Sequence, residues 1–225
     1  MLRCRFPLDK AGERASEHQR LAATRRWLDT IVLGEKLCPF APPVKDTLRL
    51  RASRATTEEE TLQELSEEAA ILRAGIDAQE RANEMQPETS LLVLSGLCLA
   101  HEKNSTALMS WRQLIALSWK LQTDVLCEMG HSDTLQIVLF HPSATHSTFV
   151  DPQAPPDAGD YTIRAPFPVV QLLREKDILR GVRSFPDAAG IPGRNRTRFR
   201  DQGAVACARR LEECHDRRDS RRRPG

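Results

Sequence analysis

Two short apolar runs constrain this chain more than any other feature. TSLLVLSG (89–96) and TLQIVLF (134–140) are continuously hydrophobic, with neither helical nor alternating period, and each follows a segment whose apolar residues recur at helical spacing. Runs of this length read as strands covered on both faces. TLRLRAS (47–53) alternates apolar and polar residues, as an edge or half-buried strand does. Between it and the first run lies TTEEETLQELSEEAAILRAG, in which Thr56 and Glu59 have capping-box spacing and Leu62, Leu65, Ala69 and Leu72 form one stripe. Residues 76–88 are polar and read as a loop. A longer helix is expected over roughly 104–129, with Leu108, Trp111, Ile115, Gln122, Val125 and Met129 inward and Gly130 ending it. An opening helix over 18–34 carries Leu21, Leu28, Ile31 and Val32 on one face, with Gly34 as its left-handed last residue, and another helix is expected near 195–214. Strands alternating with helices imply crossover units. The fold expected is α/β, a small three- to four-stranded parallel or mixed sheet covered by helices, with an α+β two-layer sandwich as the alternative.

Size and charge narrow the classes further. The chain has 225 residues, 40% hydrophobic and 28% charged, which suits one globular domain over 18–200, a disordered leader over 1–17, and a helix end with an Arg-rich disordered tail over 201–225. No apolar run is long enough to span a bilayer. The leader has no signal-peptide core, and Asp9, Glu13 and Glu17 argue against a transit peptide, so a soluble cytoplasmic protein is expected, with mitochondrial import as the alternative. A net charge of +2 excludes bulk attraction to polyanions, although GRNRTRFR and DRRDSRRRPG would let the tail touch nucleic acid or an acidic partner. The cysteines Cys4, Cys38, Cys98, Cys127, Cys207 and Cys214 lack CxxC spacing and read as reduced thiols. No nucleotide, hydrolase or metalloprotease motif is present, so no cofactor is indicated and no metal set is assigned; CARRLEECH, with Cys207, Cys214 and His215, lacks tight ligand spacing. Oligomeric state is not legible.

Chemistry is expected around the long irregular stretch 141–167, where six of the 14 prolines lie between Pro142 and Pro168. His141 follows the last buried strand, where open α/β sheets bind ligands; it serves there as base, acid or metal ligand, or else caps the strand by bonding backbone. GDYTIRAPFPVVQLLREK (159–176) holds the single tyrosine, Tyr161. Its two late prolines suit a helix entrance, and the helix read from there buries Val169, Leu172, Leu173 and the stem of Lys176. Arg164 beside that N-terminus would make an anion pocket, with Tyr161 adding a hydroxyl; the alternative is that Arg164 pairs with Asp160 or Glu175 and pins the loop. Cys38, at a turn beside Pro39, is a nucleophile if exposed near His141 or Arg164 and an inert hydrophobe if buried against Phe40. His101 and His146 read as solvated.

TRRWLDTIVLGEKLCPFA, LQIVLFHP, YTIRAPFPVVQLLRE and FPDAAGIPGRN, in that order, resemble the family called domain of unknown function 1415, over roughly residues 21–200. The resemblance implies a soluble α/β protein with no established activity. Its blocks fall here on Cys38, Pro39, His141, Pro142, Tyr161, Thr162, Arg164, Pro166, Pro168, Arg174 and Glu175. The function expected is a small enzyme acting on an anionic metabolite, with Cys38 and His141 as catalytic candidates and Tyr161, Thr162, Arg164, Arg174 and Glu175 as ligand-binding candidates. The alternatives are a non-catalytic binding module for an anionic ligand and an adaptor using the basic tail.

Overall fold

The computed structural model describes residues 15–41, 45–82, 88–94, 109–147 and 153–215. Most of the expected leader, the tail beyond 215, the start of the helix expected from 104, and Cys4, Cys98, His101 and Leu108 lie outside the described residues. So does the middle of the proline-rich loop. Helix α1 (Glu17–Trp27) starts at a capping box: Ser16 Oγ accepts from the Gln19 N–H, and the Gln19 side chain returns to the Ser16 N–H at 2.6 Å. It continues through a wider turn, Leu28–Leu33, in which the Gly34 N–H reaches back five residues to Asp29 O at 3.1 Å. Strand β1 (Leu48–Ala52), helix α2 (Glu58–Ala82) and strand β2 (Thr89–Val93) follow. Helix α3 (Trp111–Lys120) runs into a second widened turn, Leu121–Leu126, before strand β3 (Leu135–Phe140). After the long connection come strand β4 (Val169–Arg174) and helices α4 (Glu175–Ser184), α5 (Ile191–Gln202) and α6 (Ala204–Glu213).

The four strands form one mixed sheet in the order β1-β2-β4-β3. β1 and β2 are parallel, Leu50 opposite Leu91. β4 is antiparallel to both its neighbours, with Val169 opposite Val93 on one side and Phe140 on the other. β1, β2 and β3 therefore run the same way, and their carboxyl ends lie in one row with the start of β4. One face is sealed by α2 and α3 through Leu65, Ala69, Leu72, Leu114, Leu117, Leu121 and Leu126. At about 2 kcal/mol for each buried leucine, this leucine-rich cluster is the scaffold's main apolar contribution. The opposite face packs Trp27, Ile31, Phe199, Cys207 and Leu211, from α1, α5 and α6, on Leu91, Val93 and Val169.

The α/β class stands, but several local expectations are corrected. Residues 169–174 are a central strand, not a helix. Val169, Leu172 and Leu173 have helical spacing by coincidence; Val170 is buried too, because helices cover both faces of β4. Residues 76–82 continue α2 instead of forming a loop. Its capping box is one residue later than expected, with Thr57 Oγ1 accepting from the Glu60 N–H at 3.1 Å. The buried stripe of α3 is Leu114, Leu117, Leu121 and Leu126; the half-buried Trp111 and Ile115 flank it, and the five-residue step from Leu121 to Leu126 is the widened turn. Gly34 is right-handed at φ −61°, and Lys36, at φ 51°, is the left-handed residue. Glycine is needed at 34 for room, since a Cβ there would collide with Thr30 O. Gly130 ends its helix at φ 67°, as expected. The expected last helix is two, broken at Gly203 with φ 80°.

Candidate functional site

The carboxyl row of the sheet gathers part of the expected set. His141 is the residue after β3, and its N–H bonds Ile163 O at 3.3 Å, tying the strand end to the returning chain. Its buried ring lies 2.7 Å from Met109 O through Nε2, while Nδ1 lies 3.0 Å from the Ser143 N–H. A carbonyl can only accept and an amide can only donate, so the imidazole is the neutral Nε2–H tautomer with both nitrogens engaged. Burial pushes its pKa below the ordinary value; the Met109 carbonyl pulls the other way and the charge of Arg164 adds to the lowering. The strand-capping alternative describes this geometry.

Arg164 is 9% exposed. Its Nε donates to Ala144 O at 3.0 Å, and the Ala144 N–H returns to His141 O at 3.0 Å, so the two candidates share one small turn. The guanidinium lies 4.4 Å above the centre of the Tyr161 ring, and Asp160 Oδ2 stands 3.6 Å from a terminal nitrogen. Tyr161 and Asp160 belong to a tight turn, Ala158–Thr162, that α5 holds from outside. Arg200 forks onto both oxygens of Asp157 at 2.9 and 2.7 Å, and these bonds hold the Asp157 carboxyl down at about 2. Thr162 spends its proton on Gly159 O at 2.8 Å and so accepts from His146 Nε2 at 2.9 Å. His146 is exposed, as expected, yet its ring is fixed to the turn; burial of part of the ring lowers its pKa.

The remaining candidates are elsewhere. The anion pocket expected from a helix N-terminus beside Arg164 does not form, because β4 occupies that position. Arg174 ends β4 at the opposite end of the sheet, fully buried, with Nε bonded to Asp177 and Glu88 at 4.0 Å. Glu175 starts α4, where its N–H bonds Thr134 O at 2.9 Å, and it lines a shallow cleft of about 450 Å³ with Gln122, Asp133 and Gln136. One ligand at Arg164 does not reach either residue across six residues of extended strand, about 20 Å. Cys38 is half-buried beyond the widened turn of α1, where Asn195 bonds the preceding Leu37 carbonyl at 2.6 Å. Burial pushes the Cys38 thiol up, against the N–H groups of Phe40 and Ala41. Among the described residues no hydrogen bond, ion pair or ring contact joins it to His141 or Arg164. Cys207 and Cys214 are buried and bond helix carbonyls, His215 packs edge-on against Phe167, and no three metal-binding side chains cluster among the described residues.

Which family shares these landmarks follows from a direct match. The model described as "Protein of unknown function (DUF1415)" matches residues 19–209. The chain belongs to this family. The family span takes in α1, the whole sheet, the His141–Arg164 turn and most of α6. No curated protein and no solved structure matches the chain. No helix among the described residues is long and apolar enough to cross a membrane. Sequence reasoning missed the Asp157–Arg200 fork and the Ala144 carbonyl, the first because it joins residues 43 apart and the second because a backbone acceptor has no residue signature.

Proposed function

We propose that this DUF1415 chain is a binding module for a small anionic ligand, a carboxylate or phosphate, anchored by Arg164 at the carboxyl end of the sheet. The observation that carries this reading is the state of the Arg164 guanidinium. It is buried and stacked on Tyr161, and among the described residues only Nε is spent on a hydrogen bond, while Asp160 forms an ion pair at 3.6 Å, beyond hydrogen-bonding distance. A planar fork held rigidly, its outer donors free of hydrogen bonds among the described residues and ion-paired only at 3.6 Å with Asp160, suits recognition of an oxyanion that displaces this pairing. The Tyr161 stack and the Ala144 carbonyl set its orientation before a ligand arrives, which lowers the ordering cost of binding. Thr162 and His146 form the polar rim of the same turn. Cys38 and His141 take no reacting role in this reading, because burial raises the thiol's pKa and both imidazole nitrogens are committed to the backbone or Ser143.

The test is calorimetric titration of the full chain with inorganic phosphate, pyrophosphate and citrate. Binding at least tenfold weaker in Arg164→Gln, with Arg164→Lys intermediate, is the expected outcome. Equal affinity in the wild type and Arg164→Gln overturns the reading. Turnover that needs Cys38 would restore the enzyme instead.

A further inference from the structure

The two edges of the sheet are finished differently. Arg49 and Arg51 on β1 both bond the buried Glu68 of α2, so the β1 edge carries charge. The other edge is β3, LQIVLF, with no charged residue, proline or glycine. Register shows which of its backbone groups point outward. The Glu175 N–H bonds Thr134 O, and on the far side of β4 the Leu94 N–H bonds Pro168 O, so odd-numbered residues of β4 turn toward β3. Antiparallel pairs alternate, and Gln136, Val138 and Phe140, opposite Leu173, Gln171 and Val169, are therefore the residues that exchange bonds with β4. Leu135, Ile137 and Leu139 present their N–H and C=O groups to the other side. The Leu135 N–H is taken by His131 O at 3.1 Å, and the outward N–H of His141 by Ile163 O at 3.3 Å. Between these stops, the outward groups of Ile137 and Leu139 have no strand or loop paired to them among the described residues.

Apolar surface flanks this gap. The ring of Trp111, at the start of α3, stands 6.1 Å from that of His141, and Gln122, just past its end, lines one cleft with Leu135 and Ile137. Helix α3 therefore runs antiparallel to β3, with its middle over Val138. Trp111, Ile115, Trp119 and Gln122 recur at helical spacing and share the side of α3 next to the edge. Trp119 is 66% exposed. An indole left out beside an unpaired strand is apolar area that its own chain does not cover among the described residues.

Two free residues are too short an edge to hold an extended peptide by backbone bonds alone, but they are symmetric about Val138. A second copy running antiparallel, related by a two-fold axis through Val138, sets Ile137 against Leu139 twice and uses every outward group of both. The same axis lays α3 antiparallel to its copy on one face of the joined sheet, so the Ile115–Trp119 side of each helix meets the other. It also brings the amino end of one β3, where Asp133 and Glu175 line the cleft, to the carboxyl end of the other, where α3 opens with the exposed Arg112. We propose that the β3 edge is a homodimer interface, joining two four-stranded sheets into one continuous sheet with Trp119 as the apolar anchor.

The experiment is sedimentation equilibrium of the full chain, combined with amide hydrogen exchange of the ¹⁵N-labelled protein at low and high concentration. A monomer–dimer equilibrium is expected, with association at least about tenfold weaker in Trp119→Glu. The Ile137 and Leu139 amides should exchange at least about tenfold more slowly where dimer predominates. Circular dichroism unchanged from the wild type shows that the variant folds; should Trp119→Glu not fold, Trp119→Lys takes its place with the same expectation. A chain that is monomeric throughout overturns the proposal. So does exchange at Ile137 and Leu139 that is independent of concentration, since either the copies meet elsewhere or the chain covers its own edge. Association as strong in the folded Trp119 variant as in the wild type overturns it too.

Discussion

Glu68 on α2 and Arg20 on α1 both bury charge against the β1–β2 edge of the sheet, one on each face, and their surroundings differ. On α2 the carboxylate of Glu68 is fully buried and every oxygen is used: Arg51 bonds Oε1 at 2.9 Å, while Arg49 and Ser90 bond Oε2 at 2.7 and 2.6 Å. Arg49 and Arg51 are two apart on an edge strand, so both project to the α2 face. They clamp the helix to the sheet and place charge on an edge that would otherwise invite another strand. On α1 the guanidinium of Arg20 is equally enclosed, yet the donors beside it along the helix have nothing to meet. A closed polar network specifies and holds a fold, whereas an open one costs stability. The Glu68 cluster on α2 therefore reads as scaffold, whereas α1 keeps the Arg20 Nε–H, the Thr24 hydroxyl and the Trp27 indole N–H buried without partners.

The largest expected effect tests the closed network. Glu68→Gln should cost about 3 kcal/mol in urea unfolding, since it removes the charge that two partly buried arginines and a serine share. A cost under about 1 kcal/mol would show that the network contributes little and would break the contrast. His141 is a second closed group, with its own expected signature in pH. The folded protein holds it neutral with a pKa below the ordinary 6.5, so the unfolded chain takes up the proton first as pH falls. Its contribution is full above about 6.5 and is lost as pH falls toward the folded value, with a slope of at most about 1.4 kcal/mol per pH unit from this one group. Denaturant titrations at several pH values should find this component in the wild type and not in His141→Gln. The smallest effect has the opposite sign. Thr24→Val should raise stability by up to about 1 kcal/mol, because it removes a buried hydroxyl that has no partner. A loss of similar size would mean that the hydroxyl is already satisfied and would remove the contrast.

The framework was legible in residue spacing because its signals are local. Capping residues, a helical stripe on α2 and two period-free apolar runs are dictated by chain geometry within a few residues, and they located β1, β2, β3 and the helices between them. β4 was misread for the same reason that β2 was read correctly. A run covered on both faces carries no period, and only a neighbour on each side distinguishes a strand from a helix in Val169–Arg174. That single error moved the anion pocket, since a helix N-terminus was expected where an extended chain enters the sheet.

Sequence by itself determined the class of fold, the alternation of elements and the pairing of His141 with Arg164 as residues of interest. Tertiary structure alone decided that Arg174 lies at the far end of β4, that no hydrogen bond or ion pair among the described residues joins Cys38 to His141 or Arg164, and that the Arg20 Nε–H, the Thr24 hydroxyl and the Trp27 indole N–H face inward unpaired. The reason is physical. A residue's type fixes which hydrogen bonds it can make, but whether an acceptor lies within 3 Å depends on segments brought together from distant parts of the chain, as when Arg20 reaches Val93 across 73 residues.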